Sequence, residues 1–259
     1  MLDAMLTVDL GNSRTKARLW RGRELCVRAE FETGDVEGLA RWLERNPVAC
    51  VALSSVADGE RTDAVGHLLK DLAIRFVLAP DSGLVNRTRR PERVGLDRLY
   101  AARGALAELG SSAIVCDLGT ALTVDAVFQS PRSPDASGAG GDFLGGAIAP
   151  GPELCARVLE ERTARLPRVT PTPGARALGR DTEEAIAAGC AVGIRGAARA
   201  LVEGVAREAD LVGAPVALTG GAARFLLEPQ PFLERNLHPL PELVHRGLLE
   251  AAQTSFEAT

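Results

Sequence analysis

The chain has 259 residues, enough for two modest domains with a sizeable core, and its 46% hydrophobic and 25% charged composition is that of an ordinary globular protein. A formal net charge of −4 and a pI near 5.6 argue against nucleic acid as the main partner. No uninterrupted apolar run of about 18 residues and no basic-then-apolar leader occurs, so no membrane partner and a cytoplasmic location are expected.

In chain order, alternating apolar residues predict a meander of three strands near 5–10, 15–20 and 24–31. Helical spacing of Leu39, Trp42 and Leu43 then predicts a helix over 36–45, followed by a buried strand at 48–54. Val65, Leu68, Leu69 and Leu72 mark a helix over 62–72, with a strand at 74–78 behind it. A polar loop at 86–93 carries four arginines and leads into an alanine-rich helix over 95–109. The second half runs in the same order. Strands are expected at 113–116, 122–128 and 143–148, with a Ser, Pro and Gly-rich flexible segment at 129–141. Helices at 152–163 and 181–206, a strand at 215–218 and a helix over 241–256 complete the chain. The order implies an α/β protein of two related domains with mixed sheets flanked by helices, 1–110 and 111–259, and a cleft between them.

The first strand ends in Asp9-Leu10-Gly11-Asn12-Ser13, whose small polar turn lets backbone N–H groups approach an anion. Alone it reads more readily as a plain hairpin. The pattern Asp-Leu-Gly-x-x-x-Thr returns at Asp117-Leu118-Gly119-Thr120-Ala121-Leu122-Thr123, a domain-sized 108 residues later, as if one strand-turn-strand unit headed each half. Gly145-Gly146 and Thr219-Gly220-Gly221 are read as further turns at strand ends. Together the four stretches supply acidic residues for magnesium, donors for phosphate oxygens and bare backbone for a flat ring, the requirements of phosphoryl transfer. No Gly-x-x-x-x-Gly-Lys-Ser/Thr loop and no protein-kinase motif set is present.

Gly95-Leu96-Asp97-Arg98 places a carboxylate beside a guanidinium at a helix start. It is either a helix cap with a surface arginine or a site that orients a hydroxyl and binds an anionic tail. Asp125 is either a strand residue in polar surroundings or a cleft residue, Thr182 is a helix cap, and Lys16 is an exposed strand lysine or a phosphate ligand. The five scattered cysteines look like core packing, and His67, His238 and His245 have no metal-ligand spacing.

Seven stretches in order resemble the type III pantothenate kinases, a family of the actin-like ATPase and sugar kinase superfamily. They are the three Asp-containing motifs, 145–151, 163–167, 181–186 and 219–221. The resemblance implies ATP-dependent phosphorylation of pantothenate to 4′-phosphopantothenate, the first step towards coenzyme A. It implies Asp97 as general base, with Gly95, Leu96 and Arg98 holding pantothenate. Asp9, Leu10, Gly11, Asn12, Ser13, Arg14, Thr15 and Lys16 would bind ATP phosphates with magnesium at Asp9. Thr120, Thr219, Gly220 and Gly221 would contact ATP, and Asp117 would hold a monovalent cation, potassium or ammonium. It also implies a homodimer in which Thr182 reaches the neighbouring subunit's pantothenate. The family's substrate-contacting tyrosine is replaced here by Thr88, with Arg87, Arg89 or Arg90 as candidate substitutes. Two alternatives are a non-catalytic regulatory relative and a kinase for another small hydroxyl substrate.

Overall fold

The computed structural model describes residues 4–11, 14–55, 59–130, 140–234 and 236–257. Strands β1 (Met5–Leu10), β2 (Arg14–Arg21) and β3 (Glu24–Glu32) form the expected meander. They are followed by α1 (Val36–Arg45), β4 (Cys50–Ser55), α2 (Gly59–Asp71) and β5 (Arg75–Leu78). Next come β6 (Leu84–Asn86), a 3₁₀ turn at Pro91–Arg93 and α3 (Leu96–Leu109). The second half contains β7 (Ala113–Leu118), β8 (Ala121–Gln129), β9 (Gly141–Pro150), α4 (Pro152–Arg162) and α5 (Thr182–Glu208). It closes with β10 (Val216–Thr219), α6 (Arg224–Leu227), β11 (Leu237–Pro239) and α7 (Leu243–Glu257).

The first sheet runs β3-β2-β1-β4-β5 and the second β11-β10-β7-β8-β9-β6. Without β6, the second order mirrors the first: an antiparallel meander whose first strand also pairs in parallel with the strand after the next helices. This is the two-sheet arrangement expected of an actin-like ATPase. β6 belongs to the first 110 residues, yet it pairs in parallel with β9 and extends the second sheet. At three residues, neither β6 nor β11 shows a readable alternation, so both escape sequence analysis.

Each sheet buries one face against its own helices. Leu6, Val8 and Leu10 pack with Leu39 and Leu43 of α1 and Val65 and Leu69 of α2. Ile114, Cys116 and Leu118 pack with Ile194, Ala198 and Val202 of α5. α3 and α7 lie between the two opposite faces. Ala101, Ala102 and Ala105 of α3 meet Ala113 and Val115, while Tyr100 joins Leu248 and Ala252 of α7 against Met5 and Trp20. The helices cross with backbones in contact, since a Cβ on Gly104 would strike the Leu243 carbonyl and one on Gly247 the Tyr100 carbonyl. Gly110 ends α3 in the left-handed conformation at φ 63°.

Three expectations need correction. Gly145 and Gly146 lie inside β9 rather than at a strand end. There a bulge pairs Ala126 with Gly145 and Val127 with Phe143, and Gly145 adopts φ 102°. Of the cysteines, only Cys50, Cys116 and Cys190 are buried, while Cys26 is exposed and Cys155 half-buried. Thr182 does not cap α5. Asp181 does, accepting from Glu184 N at 2.8 Å while Glu184 accepts from Arg180 N at 2.8 Å. Of the flexible segment predicted at 129–141, residues 131–139 lie outside the described residues, while Gln129 ends β8 and Gly141 opens β9. Among the described residues one helix, α5, is long and apolar enough to cross a membrane, and it lies in the core against β7 and β8.

Candidate active site

Cross-strand partners share a face, and this register builds the site. In the first sheet Asp9 stands between Lys16 on β2 and Ser54 on β4, and the next row down is Arg18, Thr7 and Ala52. In the second sheet Asp117 stands between Thr123 on β8 and Thr219 on β10, above a row containing Val115, Asp125 and Ala217. Each Asp is the fifth residue of a six-residue strand. The lower rows are covered by α3 and α7, so the top rows face each other across the end of α3, where Asp97 sits in the first turn.

The electrostatics register this convergence. Burial, then the nearby Asp97, push the Asp9 carboxyl up to about 6, with Lys16 opposing. Burial and then Asp97 push Asp117 up to about 7, again against Lys16, with Asp9 and Asp125 adding to the rise. Asp9 Oδ1 is shielded from solvent and has no hydrogen-bond partner among the described residues. Carboxylates disfavoured by burial and by one another, one with an orphaned oxygen, suit a bound cation. The residues therefore fit a cation at Asp9 and a second at Asp117. Among the described residues no three His, Cys, Asp or Glu side chains form a closed metal cage.

At the start of α3, Asp97 Oδ1 accepts from the Arg98 N–H at 2.9 Å. The carboxylate folds back over Gly95, where any Cβ would collide with it, which explains the glycine in Gly-x-Asp-Arg. Neither is a helix cap of the side-chain kind, because Gly95 occupies that position. Arg98 Nε donates to Asp125 Oδ2 at 3.0 Å, and Nη2 donates to Oδ1. Asp125 therefore orients Arg98, whose guanidinium also lies over the Phe143 ring at 5.5 Å.

Other predicted residues occupy varied places. Leu10 and Thr15 are register partners with buried side chains, and Leu10 packs into the first core, so only their backbone is available to a ligand. Gly11 opens the turn, its N–H donating to Arg14 O at 3.0 Å and its carbonyl accepting from Thr33 at 2.8 Å. Arg14 is half exposed and pairs with Glu32 at 3.5 Å. Asn12 and Ser13 lie outside the described residues. Thr120 lines a polar pocket of about 410 Å³ beside α4. Thr219 is buried, its hydroxyl donating to Pro241 O at 3.4 Å, and Gly220 (φ 101°) turns so tightly past Asp117 that a Cβ would strike its carboxylate.

Thr88 donates to Asn86 Oδ1 through N–H (3.1 Å) and hydroxyl (2.8 Å), with its methyl facing Gly145. Arg87, a candidate substitute for the missing tyrosine, is held by Asp142 at 3.2 Å. Thr182 is separate from these residues. It lines an 830 Å³ groove between α4 and α5 with Val158, Leu159 and Ile186.

Ser54 escaped sequence analysis because no motif contains it; only the parallel register of β1 and β4 places it beside Asp9. His245 escaped for a similar reason. Its Nδ1 lies 2.9 Å from Thr7 Oγ1, which accepts from Trp20 Nε1 at 2.8 Å, joining α7 to the first sheet beneath Asp9.

The profile of the type III pantothenate kinase family matches residues 5–204. A type III pantothenate kinase from Thermus thermophilus is 36% identical over 239 residues, covering 86% of this chain and 89% of that protein. The corresponding protein from Chromobacterium violaceum is 32% identical over 250 residues, 96% and 99% of the two chains. A solved Baf family structure from Campylobacter jejuni superposes with a TM-score of 0.60, covering 97% of this chain and 99% of that one, and at 18% identity this likeness concerns the fold alone. A profile match through both strand-turn-strand motifs and α3, with relatives aligned over most of their length, makes this chain a member of the type III pantothenate kinase family.

Proposed function

We propose that the chain phosphorylates the primary hydroxyl of pantothenate with ATP, giving 4′-phosphopantothenate and ADP, the opening step towards coenzyme A. Family membership supports the reaction. The observation that carries the residue roles is the mutual approach of Asp9, Asp97, Asp117 and Lys16, drawn from two sheets and the helix between them.

Asp97, with no side-chain hydrogen-bond partner among the described residues, accepts the pantothenate hydroxyl proton as the oxygen attacks the γ-phosphorus. Arg98, oriented by Asp125, faces the substrate carboxylate with the donors that Asp125 leaves open. The Gly11 turn and Lys16 hold the phosphates, and Thr120 with the Thr219-Gly220-Gly221 turn holds the rest of the nucleotide, Thr219 through backbone. Magnesium at Asp9 would neutralise phosphate charge, and potassium or ammonium at Asp117 would offset a second carboxylate. The two lobes are taken as 1–110 and 111–259, with β6 reaching across.

The dimer belongs to the same reading. Ile148, Val158, Leu178 and Val192 are exposed, at 63%, 43%, 77% and 41%, around the groove that contains Thr182. Covering this apolar surface with a second copy would bring Thr182 to the neighbour's pantothenate. A cytoplasmic location follows from the substrates.

A coupled ADP-release assay tests the proposal. Release that requires pantothenate, is not supported by glycerol or glucose, and falls when sodium replaces potassium is the expected result. Silence from a folded dimer would overturn it.

A further inference from the structure

The segment between β11 and α7 fastens the two lobes together beside the nucleotide half of the cleft. Leu240 N donates to Leu218 O at 2.7 Å and the Thr219 hydroxyl to Pro241 O at 3.4 Å, so residues 240–241 are tied to the end of β10. The next residue reaches the other lobe. Glu242 Oε2 accepts from Arg18 Nε at 2.5 Å, and Oε1 accepts from Arg28 Nε at 2.7 Å.

Arg18 stands on the same face of β2 as Lys16, and its side chain is only 6% exposed. Its other donors are also engaged. Nη1 meets the carbonyls of Ala17 and Ala29, both at 3.1 Å, and Nη2 meets Glu30 at 3.2 Å. A desolvated guanidinium with four of its five N–H donors engaged is held in one geometry, and the carboxylate on its Nε comes from the opposite lobe.

We propose that Glu242 is a positioning residue for the nucleotide: by gripping Arg18 it sets the separation between the Lys16 strand and the Thr219-Gly220-Gly221 turn. The inference rests on the ATP-site reading above. Two half-sites on different sheets must engage one triphosphate at once, so a clamp between them removes the ordering that binding would otherwise require. Asp97 and Arg98 are carried by α3, and neither bonds to Glu242 or Arg18. The pantothenate side is therefore joined to the clamp only through the packing of α3 on α7.

The test measures kcat and both Michaelis constants for wild type, Glu242→Gln, Glu242→Asp and the control Arg28→Met, with thermal melts of each. Loss of a charge-assisted, desolvated pair in Glu242→Gln raises KM for ATP about tenfold, while KM for pantothenate stays within about twofold. Glu242→Asp keeps the charge but shortens the reach, and raises KM for ATP in the same direction. Arg28, 62% exposed, leaves the Arg18 contact intact when replaced, and its variant raises KM for ATP less than Glu242→Gln does. A lowered melting temperature with unchanged KM for ATP, or an equal rise in both constants, would overturn the clamp. A wild type without pantothenate-dependent ADP release would overturn the site reading, and the clamp with it.

Discussion

Arg98 and Asp125 form a buried, two-pronged ion pair between the start of α3 and the middle of β8, with side chains 14% and 1% exposed. Burial raises the Asp125 carboxyl and Arg98 beside it works against that rise. Removing the carboxylate leaves a guanidinium without its counter-charge in a place that water barely reaches. Asp125→Ala is expected to cost about 3–5 kcal/mol, read from denaturant unfolding. The isosteric Asp125→Asn keeps one acceptor, so it should fold while raising KM for pantothenate through a misaimed Arg98. An Asp125→Asn enzyme with wild-type KM would separate this pair from substrate binding.

Asp97→Asn keeps the volume and the contact with the Arg98 N–H but cannot accept the hydroxyl proton. Turnover should fall by about 10²–10⁴-fold. ATP binding, measured by calorimetry, should persist because the phosphate contacts lie on other elements. Normal turnover in this variant would remove Asp97 from the chemistry.

Asp9 is costly to keep ionised without a cation. Its carboxyl is pushed up to about 6 from 3.8, so at pH 7.5 the metal-free protein carries a penalty on the order of 2–3 kcal/mol. Asp9→Asn should therefore raise the melting temperature in the presence of EDTA while abolishing magnesium-dependent turnover. A lower melting temperature would show that the carboxylate is stabilising without metal.

His245 should impose the opposite pH trend. Burial, with Arg18 and Lys16 facing it, holds its pKa well below 6.5 in the folded chain. Below about 6.5 the unfolded chain takes up a proton that the folded chain refuses, so stability falls as pH falls, by up to about 1.4 kcal/mol per pH unit. The raised carboxyls of Asp9 and Asp117 work in the other direction. The effect is thus isolated by comparing wild type with His245→Phe in denaturant unfolding from pH 7.5 to 5.5. The wild type should lose stability relative to the variant on acidification, and a constant difference would refute the assignment.

Thr88 is small, and its methyl lies against Gly145. Thr88→Tyr should place a ring over the start of the pantothenate site and lower KM for pantothenate without altering KM for ATP. An unchanged KM would exclude this position from substrate contact.

Much of this architecture was legible in the linear sequence because local chemistry writes it there. Apolar alternation marked the meanders, helical spacing marked α1 and α2, and a repeated Asp-Leu-Gly turn disclosed two related halves before any contact was known. Gly-x-Asp-Arg pointed to a substrate role only through its resemblance to a known family, and the Asp97 carboxylate lies over its glycine. What remained hidden depends on partners far apart in the chain. Ser54 meets Asp9 only through the register of a parallel strand pair, and Asp125 meets Arg98 only because α3 lies across the second sheet. Glu242 meets Arg18 across 224 residues. A lone Asp, Glu or Ser carries no periodicity and no turn signature, so its significance lies in what faces it. The sequence by itself determined the longer elements, the repeat and the candidate carboxylates; packing two sheets around α3 and α7 decided which charges share a desolvated space.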